Sequence, residues 1–214
     1  MAYDFEEQER LDDFKAFWAK YGNTIMTVVT VVLLAVAAWR GWAWYEANQS
    51  HKAAGVYHQL KVAVDEADAD RIRSTAQVLR DDFSGTVYAR MGSLVAAEAQ
   101  AGADVDDAAL ENLRWVVDNG DDEIFVLVAR LRLASLLIED EAWDEASRIL
   151  DVQTPPAFNG LFADRRGDLA MAQGRTDEAR AAYGEALETL GPANSLARLV
   201  QLKLDSLGAT GTGS

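Results

Sequence analysis

The chain has 214 residues, no cysteine and a formal net charge of −15 at pH 7. This charge disfavours binding to nucleic acid and to anionic lipid surfaces, because both repel an acidic protein. The lack of cysteine excludes disulfides, thiol redox chemistry and thiolate metal sites. Alanine is abundant and proline occurs three times, so the composition favours helices almost throughout.

Residues 1–20 form the first predicted segment, an acidic amphipathic head. Its apolar face would consist of Phe5, Leu11, Phe14, Phe17 and Trp18. A cleavable signal peptide would instead begin with a short, positively charged stretch. We therefore expect the apolar segment that follows to be retained, although residues 35–37 resemble a small-residue cleavage site.

Residues 21–45 are predicted to form a transmembrane helix. No charged residue occurs from Tyr21 to Trp39, and these roughly 19 positions would span about 28 Å as a helix, close to the hydrocarbon thickness of a bilayer. Aromatic rings stand at both ends, with an arginine that can reach the headgroups. The predicted membrane-interface anchors are Trp18, Tyr21, Trp39, Arg40, Trp42 and Trp44. A buried helix of a soluble domain is the alternative.

The basic residues around this segment slightly favour one orientation. Arg10, Lys15 and Lys20 precede it, whereas Arg40 and Lys52 follow it. Because basic residues near a membrane helix tend to stay in the cytoplasm, the N-terminus is predicted to be cytoplasmic. The acidity of the remaining chain neither promotes nor prevents its export.

A period of 33 residues indicates the architecture of the predicted helical domain, residues 46–207. The motif Asp-Glu-Ala ends at Ala146 and again at Ala179. This period is typical of tetratricopeptide units, whose helix pairs stack because one pair cannot bury its own apolar face. The predicted fold is all-α, with one N-terminal transmembrane helix followed by a tetratricopeptide-like right-handed helical solenoid. An ordinary helical bundle is the alternative.

Weaker signals extend the array in both directions. We expect a further copy over residues 89–116, with a longer turn, and a degenerate helix pair over residues 47–82. Residues 194–207 carry regularly spaced leucines and are predicted to form a closing helix. Residues 208–214 are low in complexity and are predicted to be a disordered tail.

The sequence contains no catalytic constellation and predicts no cofactor. His51 and His58, the two histidines, have no further well-spaced metal ligands. Acidic clusters such as the one around Asp104 and Asp106 lie beside glycine at turns, where helix capping and solvation explain them. Nucleophile motifs, phosphate loops and dinucleotide fingerprints are missing. An enzyme is therefore the least favoured class.

The predicted functional surface is a polypeptide-binding groove. In a tetratricopeptide solenoid the first helix of each unit lines the concave side, and Ala146 and Ala179 set the helical phase. Apolar and acidic residues on this side suit a polypeptide that carries hydrophobic and basic groups. The predicted groove residues are Val128, Leu131, Ser135, Ile138, Leu161, Asp164, Asp168 and Met171. For each of them, packing against a neighbouring helix is the alternative.

Several segments also carry a resemblance to a known family through their order and spacing. They are FKAFWAKYG at 14–22, WRGW at 39–42, LRLA at 131–134, ADRRGD at 163–168 followed by Gly174, ARAAY at 179–183 and QLKLDSL at 201–207. In these segments the sequence resembles the YfgM-like ancillary subunits of the bacterial SecYEG protein translocon. The resemblance covers most of the chain.

The resemblance implies a bacterial inner-membrane protein with a cytoplasmic N-terminus and a periplasmic tetratricopeptide domain. It also implies association with the SecYEG translocon, with a membrane-anchored periplasmic chaperone of the prolyl-isomerase type, and with exported polypeptides. The family has no catalytic residues to carry over. This chain is more acidic and ends in a glycine-rich tail, which bears on any partner contact that depends on surface charge.

Three functions remain open at this point. The first is an anchored interaction protein that docks at the translocon and holds an emerging polypeptide or a chaperone. The second is a regulator of an envelope stress response, to which some family members are linked, acting through the cytoplasmic head. The third is a scaffold for envelope assembly, either in cytochrome maturation or in cell-wall synthesis.

Overall fold

The structure is a computed structural model that describes residues 2–101, 107–191 and 194–209. Every regular element in these ranges is an α-helix, and 87% of the chain is helical, which confirms the all-α prediction. The helices are α1 (Ala2–Asp65), α2 (Ala69–Asp82), α3 (Val87–Gln100), α4 (Asp107–Asn119), α5 (Glu123–Glu139), α6 (Trp143–Leu150), α7 (Pro156–Ala172), α8 (Thr176–Leu190) and α9 (Ser195–Ala209).

The chain divides into two compact units, Met1–His51 and Lys52–Ser214, and α1 contributes residues to both. The helix does not end at residue 45, where the predicted transmembrane segment stops. No proline interrupts it, and Gly55 lies inside the helix, which continues to Asp65. The segment predicted to cross the membrane therefore continues directly into the first helix of the helical domain.

The apolar run in the first unit is uncovered on all sides. Side chains from residue 26 to residue 45 are exposed, and Leu33 and Leu34 are exposed by 63% and 65%. A helix that is apolar all round is stable only inside a protein core or a membrane, and this unit provides no core around it. The helix is long and apolar enough to cross a bilayer, which makes it a candidate membrane span. The side chains of Phe5, Leu11 and Phe14 from the predicted head lie outside the described residues.

The turns of the second unit repeat with the predicted period. Glu141 and Gly174, 33 residues apart, both adopt positive φ, at 58° and 72°. After Glu141, the Ala142 amide donates to the Leu137 carbonyl at 2.8 Å, and the equivalent bond after Gly174 also measures 2.8 Å. Ala67 joins α1 to α2 with φ 53° in the same type of turn. The backbone thus shows α1–α2, α5–α6 and α7–α8 as helix pairs of one kind.

Three clusters of buried apolar side chains stabilise the second unit. The end of α1, α2 and α3 share one cluster around Leu60 and Leu79. Helices α3 to α7 share the largest, in which Leu133 and Phe162 are fully buried. Helices α7, α8 and α9 share the third, around Tyr183. Because each cluster is built from more than one helix pair, no pair buries its apolar face alone.

Helices α7 and α8 approach closely because small residues line their contact. A Cβ atom built at Gly167 would lie 2.4 Å from Cε1 of Tyr183, and one built at Gly160 would lie 2.6 Å from Cγ of Leu190. Tyr183 is 2% exposed, so its ring fills the space that a larger residue at position 167 would need. Glycine is required here by the close contact, since Gly167 lies within a regular helix.

The closing helix extends beyond its predicted end. Helix α9 runs to Ala209, so Gly208 is helical, whereas it was predicted to begin the tail. Its apolar residues Val200 and Leu207 are buried against α8 and α7, and this packing carries the helix past residue 207. The rest of the predicted tail, residues 210–214, lies outside the described residues, as do Asp104 and Asp106 of the acidic loop.

Replacing Gly167 by alanine is expected to destabilise the helical domain, because the new methyl group would overlap the Tyr183 ring. Overpacking of this kind costs about 2 kcal/mol, which corresponds to a fall of roughly 4 to 8 °C in the midpoint of thermal unfolding. The measurement is circular dichroism of the full chain in detergent. The matched control is Gly184→Ala in α8, where a Cβ would meet nothing within 4 Å. Alanine there should leave the midpoint unchanged or raise it; an equal fall in both variants would contradict the close contact.

Candidate polypeptide-binding surface

The four predicted groove residues of α5 lie on a half-buried face. Val128, Leu131 and Ile138 are partly exposed and pack against the largest apolar cluster. The Ser135 hydroxyl donates to the Leu131 carbonyl at 2.9 Å. These residues therefore combine core packing with partial exposure, and the face they form remains accessible to a ligand.

Ser135 also lines a cleft of about 410 Å³ formed by α3, α4 and α5. Its other lining residues are Ala97, Glu98, Ala101, Leu113, Arg132 and Leu136. The floor is apolar, since Leu113 is 1% and Ala97 is 2% exposed. Clefts of this size with an apolar floor and few polar groups are typical of sites that take a side chain or a small ligand.

Polar groups stand at the rim of this cleft. Arg132 Nη1 lies 3.2 Å from the Leu94 carbonyl oxygen and 3.2 Å from Glu98 Oε2, so the guanidinium joins α5 to α3. Its side chain is 42% exposed and that of Glu98 is 71% exposed, so both retain capacity to bond a peptide backbone. We define the cleft together with Val128, Leu131 and Ile138 as the α5 surface.

The predicted groove residues of α7 are arranged differently. Leu161 is half-buried and Met171 is 38% exposed. Asp164 is only 3% exposed, and its Oδ1 accepts a bond from Lys203 Nζ of α9 at 2.8 Å. Lys203 Nζ also lies 2.7 and 3.0 Å from the two carboxylate oxygens of Asp168. The two acidic residues of the predicted groove are thus occupied by the chain's own closing helix.

Tyr183 completes this ion cluster. Its hydroxyl donates to Asp168 Oδ1 at 2.8 Å, and Lys203 Nζ lies 5.5 Å from the centre of its ring. Burial, together with the hydrogen bond to Asp168, raises the pKa of Tyr183, so the phenol keeps its proton and remains a donor. Arg165 Nη1 binds the same aspartate at 3.0 Å. The Asp164–Asp168–Tyr183–Lys203 cluster therefore joins α7, α8 and α9.

The predicted interface anchors lie in the first unit on the exposed apolar helix. Trp39, Trp42 and Trp44 are exposed by 72%, 66% and 70%, and Arg40 is exposed beside them. Trp18 and Tyr21, toward the other end, are exposed by 48% and 43%. Such rings stand at the membrane–water boundary when a helix spans a bilayer.

Sequence reasoning missed Ala97, Arg132 and Leu136 as surface residues. Helical phase describes one helix pair at a time, whereas the cleft forms where α5 packs on the neighbouring pair α3–α4. The sequence contains one signal for this residue, since Arg132 lies within the apolar segment LRLA at 131–134. An arginine within an apolar helix face indicates a specific partner, because its charge must be compensated.

Replacing Lys203 by methionine is expected to destabilise the helical domain, because buried Asp164 would lose its cation. Breaking a buried ion pair costs about 3 kcal/mol, a fall of roughly 6 to 12 °C in the unfolding midpoint of the full chain in detergent. Lys61→Met is the matched control, since Lys61 is exposed on α1. The triple variant Asp164→Asn, Asp168→Asn, Lys203→Met should recover part of the loss. If Lys203→Met behaves like Lys61→Met, the cluster does not hold α9.

Comparison with known proteins identifies the architecture. The profile of a family described as "Tetratricopeptide repeat-like domain" matches residues 15–209. A Neisseria gonorrhoeae (strain ATCC 700825 / FA 1090) protein named ancillary SecYEG translocon subunit is 32% identical over 212 residues, covering 97% of this chain and 100% of its own. Proteins of the same name from Haemophilus influenzae and Escherichia coli (strain K12) are 25% and 24% identical, covering 88% and 94% of this chain and 92% and 96% of their own. No solved structure gives a significant match.

These matches extend over nearly the whole length of the chain and confirm the resemblance drawn from its sequence. They also agree with the paired helices and the repeated turns of the second unit. The chain carries a tetratricopeptide repeat-like domain and belongs to the family of ancillary SecYEG translocon subunits.

Proposed function

We propose that this protein is a non-catalytic, membrane-anchored interaction protein that associates with the SecYEG translocon and holds exported polypeptides on its α5 surface. In this proposal α1 crosses the bacterial inner membrane once, the N-terminus is cytoplasmic and the helical domain is periplasmic. A membrane-anchored chaperone of the prolyl-isomerase type acts on the same polypeptides. The observation that carries the proposal is the combination of an uncovered apolar helix with a helical domain that presents a half-buried apolar cleft.

The anchor supports a place beside a membrane channel. The exposed apolar run and its flanking aromatic rings have the length and composition of a membrane span. Curated relatives that match nearly the full chain are named as ancillary subunits of the SecYEG translocon. Helix α1 runs without a break from this apolar segment to Asp65.

The α5 surface supports binding of an unfolded polypeptide. Its floor takes apolar side chains, and Glu98 and Arg132 at the rim can bond the peptide backbone on either side. An acidic chain of net charge −15 attracts basic segments over a distance. Asp164 and Asp168 are not part of this proposal as free ligands, because Lys203 already neutralises them.

The proposal that the protein is non-catalytic is supported by the arrangement of its titratable side chains. Within the described ranges, no group of three or more His, Asp or Glu side chains is arranged to hold a metal ion. His51 and His58 are both exposed on α1. On the α5 surface, Arg132 bonds Glu98 and the Leu94 carbonyl of α3. Such a fixed polar contact between helices suits the recognition of a ligand.

We expect crosslinking in the native host to capture two classes of partner. A photo-crosslinking residue at Ser135 should capture exported polypeptides, because this position lines the cleft. The same residue at Trp42 should capture translocon subunits, because Trp42 is 66% exposed at the end of the apolar run. Captured proteins are identified by mass spectrometry of isolated membranes.

Ser74, exposed on α2, is the matched control position and should capture neither class above background. Capture of polypeptides equally at Ser74 and Ser135 would remove the α5 surface from the proposal. Capture of envelope-assembly enzymes alone at Trp42 would replace the translocon by an assembly scaffold.

Protease treatment of spheroplasts should remove an epitope added after Ser214 and leave an epitope before Met1 intact. This follows from a single membrane crossing with a cytoplasmic N-terminus. Detergent-lysed spheroplasts are the control. Both epitopes should be lost there, which shows that the protease can cleave each of them once the membrane is removed. Loss of only the N-terminal epitope in intact spheroplasts would reverse the orientation and overturn the proposed location.

A further inference from the structure

Helix α9 presents an apolar stripe that no described helix covers. One side of α9 is buried against α8 and α7, with Val200 at 0% and Leu207 at 4% exposure. On the opposite side, Leu199 and Leu202 are exposed by 49% and 62%. In a stacked array each helix pair is covered by the next, and α9 is the last described helix of this array.

A charge pair of opposite sign borders this stripe. Arg198 is exposed and forms no ion pair with any described residue. The arginines of α2 to α8, in contrast, each have a hydrogen-bond, ion-pair or other polar or electrostatic partner. Asp205 binds Gln201 through Oδ1 at 2.7 Å, which leaves its second carboxylate oxygen available. Arg198 is therefore available to a partner, although the chain has 35 acidic residues.

The spacing of these charges is self-complementary. Arg198 and Asp205 are seven residues apart, which places them two turns apart on the same edge of the stripe. When two copies of one helix pair antiparallel around a two-fold axis, residues of the same edge face each other in reversed order. Arg198 of one copy then faces Asp205 of the second copy, and the pair forms twice. Leu202 lies near the axis and Leu199 beside it.

We propose that the apolar stripe of α9 and its bordering charges form a homodimer interface, in which a second copy of this chain packs its own α9 antiparallel. The interface residues are Arg198, Leu199, Leu202 and Asp205. Two ion pairs would border a contact between leucines, and each would neutralise charge that is otherwise unpaired. A cleft of about 740 Å³ between α8 and α9, bordered by Arg198 and Leu202, leaves room for the partner's side chains. A single helix pair buries little area, so the dimer forms at the high local concentration of chains held in one membrane.

The test uses the absence of cysteine from the chain. Leu202→Cys, expressed at native level and oxidised in isolated membranes, should give a covalent dimer of twice the 23.4 kDa chain. Ser74→Cys, at an exposed position of α2, reports random collisions and should give a much lower yield of covalent dimer. Equal yields from the two variants, or a covalent product of Leu202→Cys with another protein in place of the dimer, would overturn the proposal.

A charge exchange tests the orientation of the two helices. In the Leu202→Cys background, Arg198→Asp should lower the dimer yield about ten-fold, because two attractions become two repulsions. Adding Asp205→Arg should restore the yield, since the pairs re-form with the charges exchanged. A yield that Arg198→Asp leaves unchanged, or that the double variant does not restore, overturns the antiparallel arrangement. Both positions are exposed, so an unchanged thermal midpoint confirms that each variant still folds.

Discussion

The close approach of α7 and α8 is the constraint on which the C-terminal part of the helical domain depends. Gly167 leaves room for the Tyr183 ring, whose hydroxyl then reaches Asp168 at 2.8 Å. Asp168, held in this way, binds Lys203 and so docks α9. A larger residue at position 167 would displace the ring and, through it, the hydrogen bond and the ion cluster. The lack of a side chain at position 167 therefore helps to place the closing helix, together with the apolar contacts of Val200 and Leu207.

This arrangement changes which surface is available to a ligand. The two aspartates that would have given the groove its acidic character are neutralised by a lysine of the same chain. A buried carboxylate without a cation would be costly, so the closing helix stabilises α7 while it covers this part of the face. The surface that we propose for ligand binding is therefore the α5 surface, where Leu113 and Ala97 form an apolar floor and Arg132 stands at the rim.

The two units meet different physical requirements. The first exposes a continuous apolar helix, which is unfavourable in water and favourable in lipid. The second buries its apolar residues in three clusters and exposes charge. The first unit therefore has the properties of a membrane span, and the second has those of a folded helical domain with its own core.

The sequence by itself determined the elements that depend on local pattern. Helix content follows from composition, the candidate membrane span from an uncharged run, and the repeat from a period of 33 residues that reappears in the positive φ of Glu141 and Gly174. The tertiary structure alone decided the partners of individual side chains. Lys203 and Asp164 are 39 residues apart, and Arg132 and Leu94 are 38 apart. Such contacts depend on how one helix pair is placed on the next, and helical periodicity does not encode that placement.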